Sequence, residues 1–331
     1  MKRLFRIITL SILFSLLMAC GADTADTDSA SEDVNEEEAV TEETEIEAGS
    51  FPLTLTDAMG DELTIEEEPE RILTLIPSNT EIVFALDQGE KMVGVTDNDN
   101  YPEEVEEIEK IGGMEFNVEA MIALDPDIVL AHESGLGYAE EAFEQLKNAG
   151  IAVFVVEDAV NIEETYETIE VIGSILGAKA EANELVADMQ AEFEELDELT
   201  AAVPEEERPS VFFEISPEPD VYTAGENTFL DELLTVINAE NAMAGEEGWF
   251  AIDPEVIIET NPAIIISTYG DYVENAMEQI MERDGFEAVD AVVNERVYDL
   301  DSDKVTRPGP RLVDGARELA EAVYPELFEE E

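Results

Sequence analysis

A single histidine, His132, and a single cysteine, Cys20, stand among 331 residues that include 84 Asp and Glu but only 15 Lys and Arg. Those counts dispose of most catalytic chemistry. A zinc cage needs several His or Cys ligands. A Ser–His–acid triad needs its histidine in a recognisable arrangement, and no such motif surrounds His132. One cysteine forms no internal disulfide. Gly135 and Gly137 lack both the GxGxxG frame and the lysine of a phosphate-binding loop, so they read as loop glycines. Carboxylates are so frequent that a spaced pair carries no information about glycosidase chemistry. The net charge of −69 also removes nucleic acid as a partner, because phosphates are neutralised by clustered Lys and Arg.

The elements that must position whatever chemistry remains are legible in order. Residues 1–20 read as a secretory signal: Lys2, Arg3 and Arg6, then an apolar stretch too short to span a membrane. Its end, Leu17-Met18-Ala19-Cys20, is similar to a bacterial lipoprotein cleavage site, which makes Cys20 the lipid-modified first residue of the mature chain and the membrane a partner through that anchor. Residues 21–50 form an acidic tether with twelve carboxylates and no base. Residues 51–331 then retain 72 acids and 12 bases, a net charge of −60 that belongs to the body. The body is 45%-hydrophobic sequence with runs such as 72–76 and 263–266 that demand a packed core.

Within the body, 51–65 suggests a hairpin. Strands at 71–76, 91–95, 127–131 and 152–156 alternate with helices at 78–87, 118–123 and 138–148. Ser78 with Glu81 three residues on has the spacing of a capping box. Amphipathic patterns predict helices over 162–176 and 179–199, the second about 30 Å long and stopped by Pro204. Alternation resumes with strands at 211–215, 263–268 and 296–300 and helices at 228–236, 254–260, 273–281 and 311–323. The expected fold class is α/β, with an N-terminal α/β lobe at 51–160, a helical segment at 161–207 and a C-terminal α/β lobe at 208–331.

The two lobes repeat each other. Glu119-x6-Pro126-x-Ile128-Val129 returns as Glu255-x6-Pro262-x-Ile264-Ile265, offset by 136, and Tyr138-x-Glu140-x-Ala142 returns as Tyr272-x-Glu274-x-Ala276, offset by 134. Two similar lobes imply a cleft between them. The loops 131–137 and 267–271 should line it, because open α/β sheets bind ligands beyond the carboxyl ends of their strands.

These residues resemble the substrate-binding lipoproteins of ABC importers for cobalamin, haem and ferric siderophores. The resemblance covers about 53–328. It is carried by Arg71-Ile-Leu-Thr-Leu-Ile-Pro-Ser-Asn-Thr-Glu81, Val93-Gly94-Val95-Thr96 with Tyr101-Pro102, Asn117-Val118-Glu119, Asn261-Pro262 and Arg307-Pro308-Gly309-Pro310-Arg311-Leu312. Asp303-x3-Arg307-x-Gly309-Pro310-Arg311 and Gly248-Trp249 are most similar to the cobalamin-binding branch. The resemblance implies two lobes joined by one rigid helix, small lobe motion, capture without catalysis, no bound cofactor apart from the transported cobalamin or ferric chelate, and a monomer on the extracellular face of the cytoplasmic membrane. Its partners would be a two-subunit permease and its ATPase. Glu119 and Glu255 stand where one glutamate per lobe docks on the permease. Tyr101, Tyr222, Trp249, Asp303 and Arg307 stand at the places of ligand-binding residues, while Gly113 or Met114 replaces an aromatic. His132, on a loop after a strand, could coordinate cobalt or haem iron.

Other readings remain open at this point. A metal-ion receptor would need more histidines. A receptor for anionic ferric siderophores would face the charge of the body, although Arg307 and Arg311 could form a local anion site. An enzyme on an α/β scaffold finds no support in any catalytic spacing. An adhesive surface lipoprotein would need neither a cleft nor paired glutamates.

Overall fold

Hydrophobic alternation and turn chemistry produce, in chain order, β1 (Leu53–Thr56), β2 (Glu62–Ile65), β3 (Ile72–Thr74), α1 (Pro77–Ala85), β4 (Met92–Gly94), α2 (Val118–Ala123), β5 (Ile128–His132), α3 (Leu136–Asn148) and β6 (Ala152–Val156). Two helices follow, α4 (Ile162–Ile175) and α5 (Lys179–Thr200). The second half comprises β7 (Ser210–Glu214), β8 (Tyr222–Ala224), α6 (Phe229–Val236), β9 (Glu240–Asn241), β10 (Trp249–Ala251), α7 (Pro254–Thr260), β11 (Ile264–Ser267), α8 (Ala276–Met281), α9 (Asp290–Val293), β12 (Val297–Asp299), α10 (Ser302–Thr306), α11 (Leu312–Val323) and α12 (Pro325–Phe328). The structure is a computed structural model that describes residues 51–328. The signal at 1–20, Cys20 and the tether at 21–50 lie outside the described residues.

Each half is built on a four-stranded parallel sheet. The orders are β4-β3-β5-β6 and β9-β7-β11-β12. In both, the first strand of the half pairs with the second and third, and the third pairs with the fourth, so the sequence repeat is a repeat of topology. It extends to the backbone. Asp125 and Asn261, offset by 136, both adopt left-handed φ, at 48° and 52°. Each ends its helix one residue before a proline that cannot continue it. β5 and β11 are buried along their whole length, as strands covered on both faces must be.

The long helix α5 joins the halves. Its buried residues Ala182, Val186, Met189, Phe193, Leu196 and Thr200 recur every three or four positions and form one stripe. That stripe belongs to a core that also holds Ile72 and Ile128 of the first half, Ile169 of α4, and Val211, Phe213 and Leu319 of the second half. Each large side chain fully buried there contributes about 2 kcal/mol. At Gly173 of α4 a Cβ would come within 2.4 Å of the Ala182 Cβ, so the glycine permits the close approach of α4 to α5. Two α/β lobes therefore hang on one helix through a shared core, which opposes independent lobe rotation.

The hairpin β1–β2 pairs antiparallel as expected. The capping box at 78–81 is not formed. α1 begins one residue earlier, at Pro77, with extended Ile76 before it and no side-chain cap. Glu81 is instead engaged by the opposite lobe.

Candidate functional site

α1 follows β3, so its residues project from the carboxyl end of the first sheet, and α10 and α11 follow β12 at the corresponding end of the second. Side chains from these elements meet. Glu81 is buried in α1. It accepts from Arg311 Nε at 2.9 Å and Nη2 at 2.7 Å, and from Arg307 Nη1 at 2.5 Å. Arg307 Nη2 lies 2.6 Å from Asp303 Oδ1, and its Nη1 donates to Asn100 Oδ1 at 3.2 Å. Asn100 Nδ2 in turn donates to Asp303 Oδ2 at 2.7 Å. The Arg311 guanidinium lies 4.3 Å above the Tyr101 ring, a cation–π contact, and 3.7 Å from Asp301.

Local sequence explains this convergence. Asp301 caps the five-residue α10 by accepting from the Asp303 amide at 2.9 Å, and the Pro308-Gly309-Pro310 corner starts α11 at once. Both arginines are thereby held against the other lobe.

Of the five residues expected to bind ligand, Tyr101, Asp303 and Arg307 are thus brought together at the lobe junction. Tyr222 and Trp249 are brought together elsewhere, on a two-stranded ribbon that the sequence reading did not foresee. β8 and β10 pair antiparallel with Tyr222 opposite Ala251 and Trp249 opposite Ala224. In that register both aromatics share one face, and both are about half exposed, at 45% and 48%. Phe250 points the other way into the core of the lobe. A cavity of about 880 Å³ opens between the lobes beside Tyr101, with Phe84, Met92 and Pro310 among its apolar walls and Asp87, Glu90, Glu104 and Asp314 among its acids.

The expectation that Arg307 and Arg311 form an anion site is corrected by this geometry. Glu81, Asp301 and Asp303 answer both guanidiniums, so the junction offers carboxylates, not spare positive charge. His132 is also corrected. It is 5% exposed, its Nδ1 is 2.8 Å from Ser134 Oγ and accepts from the Ser134 amide, and its Nε2 is 3.8 Å from Asp158. Burial lowers its pKa, against the opposing charges of Asp158 and Glu133. Nδ1 is held by Ser134 within the N-terminal lobe and the ring is buried, so the imidazole is not exposed for coordination. Among the described residues no group of three or more His, Cys, Asp or Glu could hold a metal ion.

Glu119 and Glu255 occupy equivalent exposed positions in the first turns of α2 and α7. Each helix is capped by its own polar residue, Asn117 accepting from the Ala120 amide and Asp253 from the Glu255 amide. The site residues missed by sequence reasoning are Glu81, which looked like a local capping residue, and Asn100, which sits one position before Tyr101.

The family model described as periplasmic binding protein matches residues 72–304. An ABC transporter substrate-binding lipoprotein of Bacillus subtilis, YvrC, is 46% identical over 280 residues, covering 85% of this chain and 88% of its own length. A cobalamin-binding protein of Halobacterium salinarum is 28% identical over 287 residues, covering 84% of this chain and 75% of its own. A solved structure of a possible iron-binding (periplasmic solute-binding) protein from Staphylococcus epidermidis is 37% identical with a TM-score of 0.71, covering 78% of this chain and 100% of that one.

Proposed function

Since the chain belongs to the periplasmic binding protein family, as a substrate-binding protein of ABC importers and not an enzyme, we propose that it captures a corrinoid of the cobalamin type between its lobes and hands it to a permease. The observation that carries this reading is the charge balance at the lobe junction. Two guanidiniums are already neutralised by Glu81, Asp301 and Asp303, and further carboxylates line the neighbouring cavity. Such a site disfavours a ligand that carries carboxylates of its own, such as haem with its two propionates, and disfavours anionic ferric chelates. A broad, partly apolar ligand rimmed with neutral amides suits exposed aromatic faces on both lobes with a few hydrogen-bonding groups between them. The similarity to the cobalamin-binding protein of Halobacterium salinarum supports the same choice.

A second reading, an iron chelate as ligand, is favoured by the higher identity to the Staphylococcus epidermidis protein. Absorbance titration of the purified body with cyanocobalamin, hemin and a ferric siderophore separates the two. Preferential binding of cyanocobalamin is expected, and preferential binding of either iron compound would replace the corrinoid reading.

Delivery would use Glu119 and Glu255, one per lobe, against a two-subunit permease driven by its ATPase. The lipoprotein relative in Bacillus subtilis supports an anchor at Cys20 and a place outside the cytoplasmic membrane.

A further inference from the structure

Among the described residues five aromatic side chains are exposed: Tyr101, Tyr138, Tyr222, Trp249 and Tyr272. All five lie on the side of the lobes where the sheets present their carboxyl ends. Tyr101 follows β4, Tyr138 follows β5, Tyr272 follows β11, and Tyr222 and Trp249 sit on the ribbon that follows β7. The lobes contact each other on this side through Glu81, Asn100, Asp303, Arg307 and Arg311. Concentration of every exposed ring on one side is not what scattered surface apolar residues give. Tyr138 and Tyr272 lie outside the junction and outside the β8–β10 ribbon.

Their placement is specific. They are the matched positions of the sequence repeat, and they follow β5 and β11, which are matched strands. Each rests on a second aromatic of its own lobe, Tyr138 on Phe116 and Tyr272 on Tyr269, with ring centroids 6.3 Å apart in both cases. Phe116 is half-buried and closes the 112–116 loop by bridging to Gly112. That loop is tied to the segment leading to Tyr101, since Gly112 O accepts from the Asp97 amide at 3.0 Å. The exposed side chains of the loop, Met114 at 72% and Glu115, are not aromatic, so among the described residues the exposed aromatic face on this stretch of the rim is that of Tyr138. On the other lobe the chain before Tyr272 is fixed by the Gly270 amide donating to Asp299 Oδ1 at 3.0 Å. Desolvation and then the charges of Asp301, Asp299 and Asp303 raise the pKa of the neighbouring Asp271 carboxyl.

We propose that Tyr138 and Tyr272 are a symmetry-related pair of ligand contacts, one on each lip of the cleft, which offer aromatic faces and phenol donors to an uncharged, amide-bearing macrocycle. Each ring is pre-oriented by the aromatic beneath it, so little side-chain freedom is lost when ligand covers it. The phenol adds a neutral hydrogen-bond donor to a rim otherwise dominated by carboxylates. The proposal rests on the corrinoid reading above.

The test uses the soluble body with Tyr138→Leu, Tyr272→Leu, both together, the two Tyr→Phe variants, and Met114→Trp added to Tyr138→Leu. Both tyrosines are exposed, and thermal melting checks that the fold is unchanged. Titration with cyanocobalamin is expected to give about tenfold weaker binding for each Leu variant and a larger loss for the double variant. The Phe variants should retain most of the affinity, and Met114→Trp should restore part of it by returning an aromatic face to the same rim. Wild-type affinity in the double Leu variant would overturn the proposal. If the wild type binds hemin but not cyanocobalamin, the corrinoid reading fails by itself, and hemin titration of the same variants then decides the tyrosine pair. If the wild type binds neither, both fall.

Discussion

Arg311 of one lobe grips Glu81 of the other with two parallel hydrogen bonds, Nε to Oε2 at 2.9 Å and Nη2 to Oε1 at 2.7 Å. Arg307 adds a third. Glu81 has 2% of its side chain exposed, and the two arginines have 10% and 14%. Paired charges at this depth are coupled far more strongly than surface pairs.

Removing the shared acceptor leaves two guanidiniums to face each other without it. Glu81→Ala is therefore expected to lower stability by about 3 kcal/mol, read from urea denaturation of the body. A loss below about 1 kcal/mol would show that the junction is an incidental surface contact.

Glu119 and Glu255 are exposed, helix-borne and repeated, and neither takes part in the junction. Glu119→Ala with Glu255→Ala is expected to leave ligand affinity unchanged and to reduce uptake through the cognate permease in reconstituted vesicles by about tenfold or more. Unchanged uptake would remove the docking role.

Alkaline pH should act through buried phenols. Burial raises Tyr166 and Tyr324, each to about 12 from an ordinary 10, and Tyr324 donates to the Asn238 carbonyl at 2.7 Å. A raised folded-state pKa gives a contribution that is complete below pH 10, where both states are protonated. It is lost as pH rises toward 12, because the unfolded chain ionises first. Stability is thus expected to fall between pH 10 and 12, with a shallower fall in Tyr324→Phe. Equal slopes for the two proteins would count against this assignment.

The body's net charge of −60 is read as a solvated, self-repelling surface. Salt screens such repulsion over about 3 Å at 1 M, so the melting temperature of the body is expected to rise as sodium chloride is added. A flat or falling dependence would argue against a chain adapted to saline surroundings.

Much of this architecture was legible because the signals were local. α2 and α7 begin and end where their proline and apolar patterns place them, and the repeat of Glu119-x6-Pro126 in Glu255-x6-Pro262 foreshadowed the repeated sheet order. Glu81 was misread for the opposite reason. Its spacing from Ser78 imitates a cap, whereas its partners lie 226 and 230 residues away, beyond any local pattern. The β8–β10 ribbon escaped notice because each strand has three residues, too few to establish alternation. His132 looked like a loop ligand, yet β5 extends one residue further than the pattern predicted and buries it. The pairing of the arginines follows from the corner at 308–310, whose direction no sequence periodicity encodes.

The central claim is that the cleft selects an uncharged, amide-rimmed macrocycle over one bearing carboxylates. Parallel equilibrium titrations of the soluble body with cyanocobalamin and hemin, followed by visible absorbance at fixed pH and salt, test it most directly. Saturation at one cyanocobalamin per chain is expected, with hemin at least about tenfold weaker. Tighter binding of hemin, or no spectral change with cyanocobalamin, would contradict it.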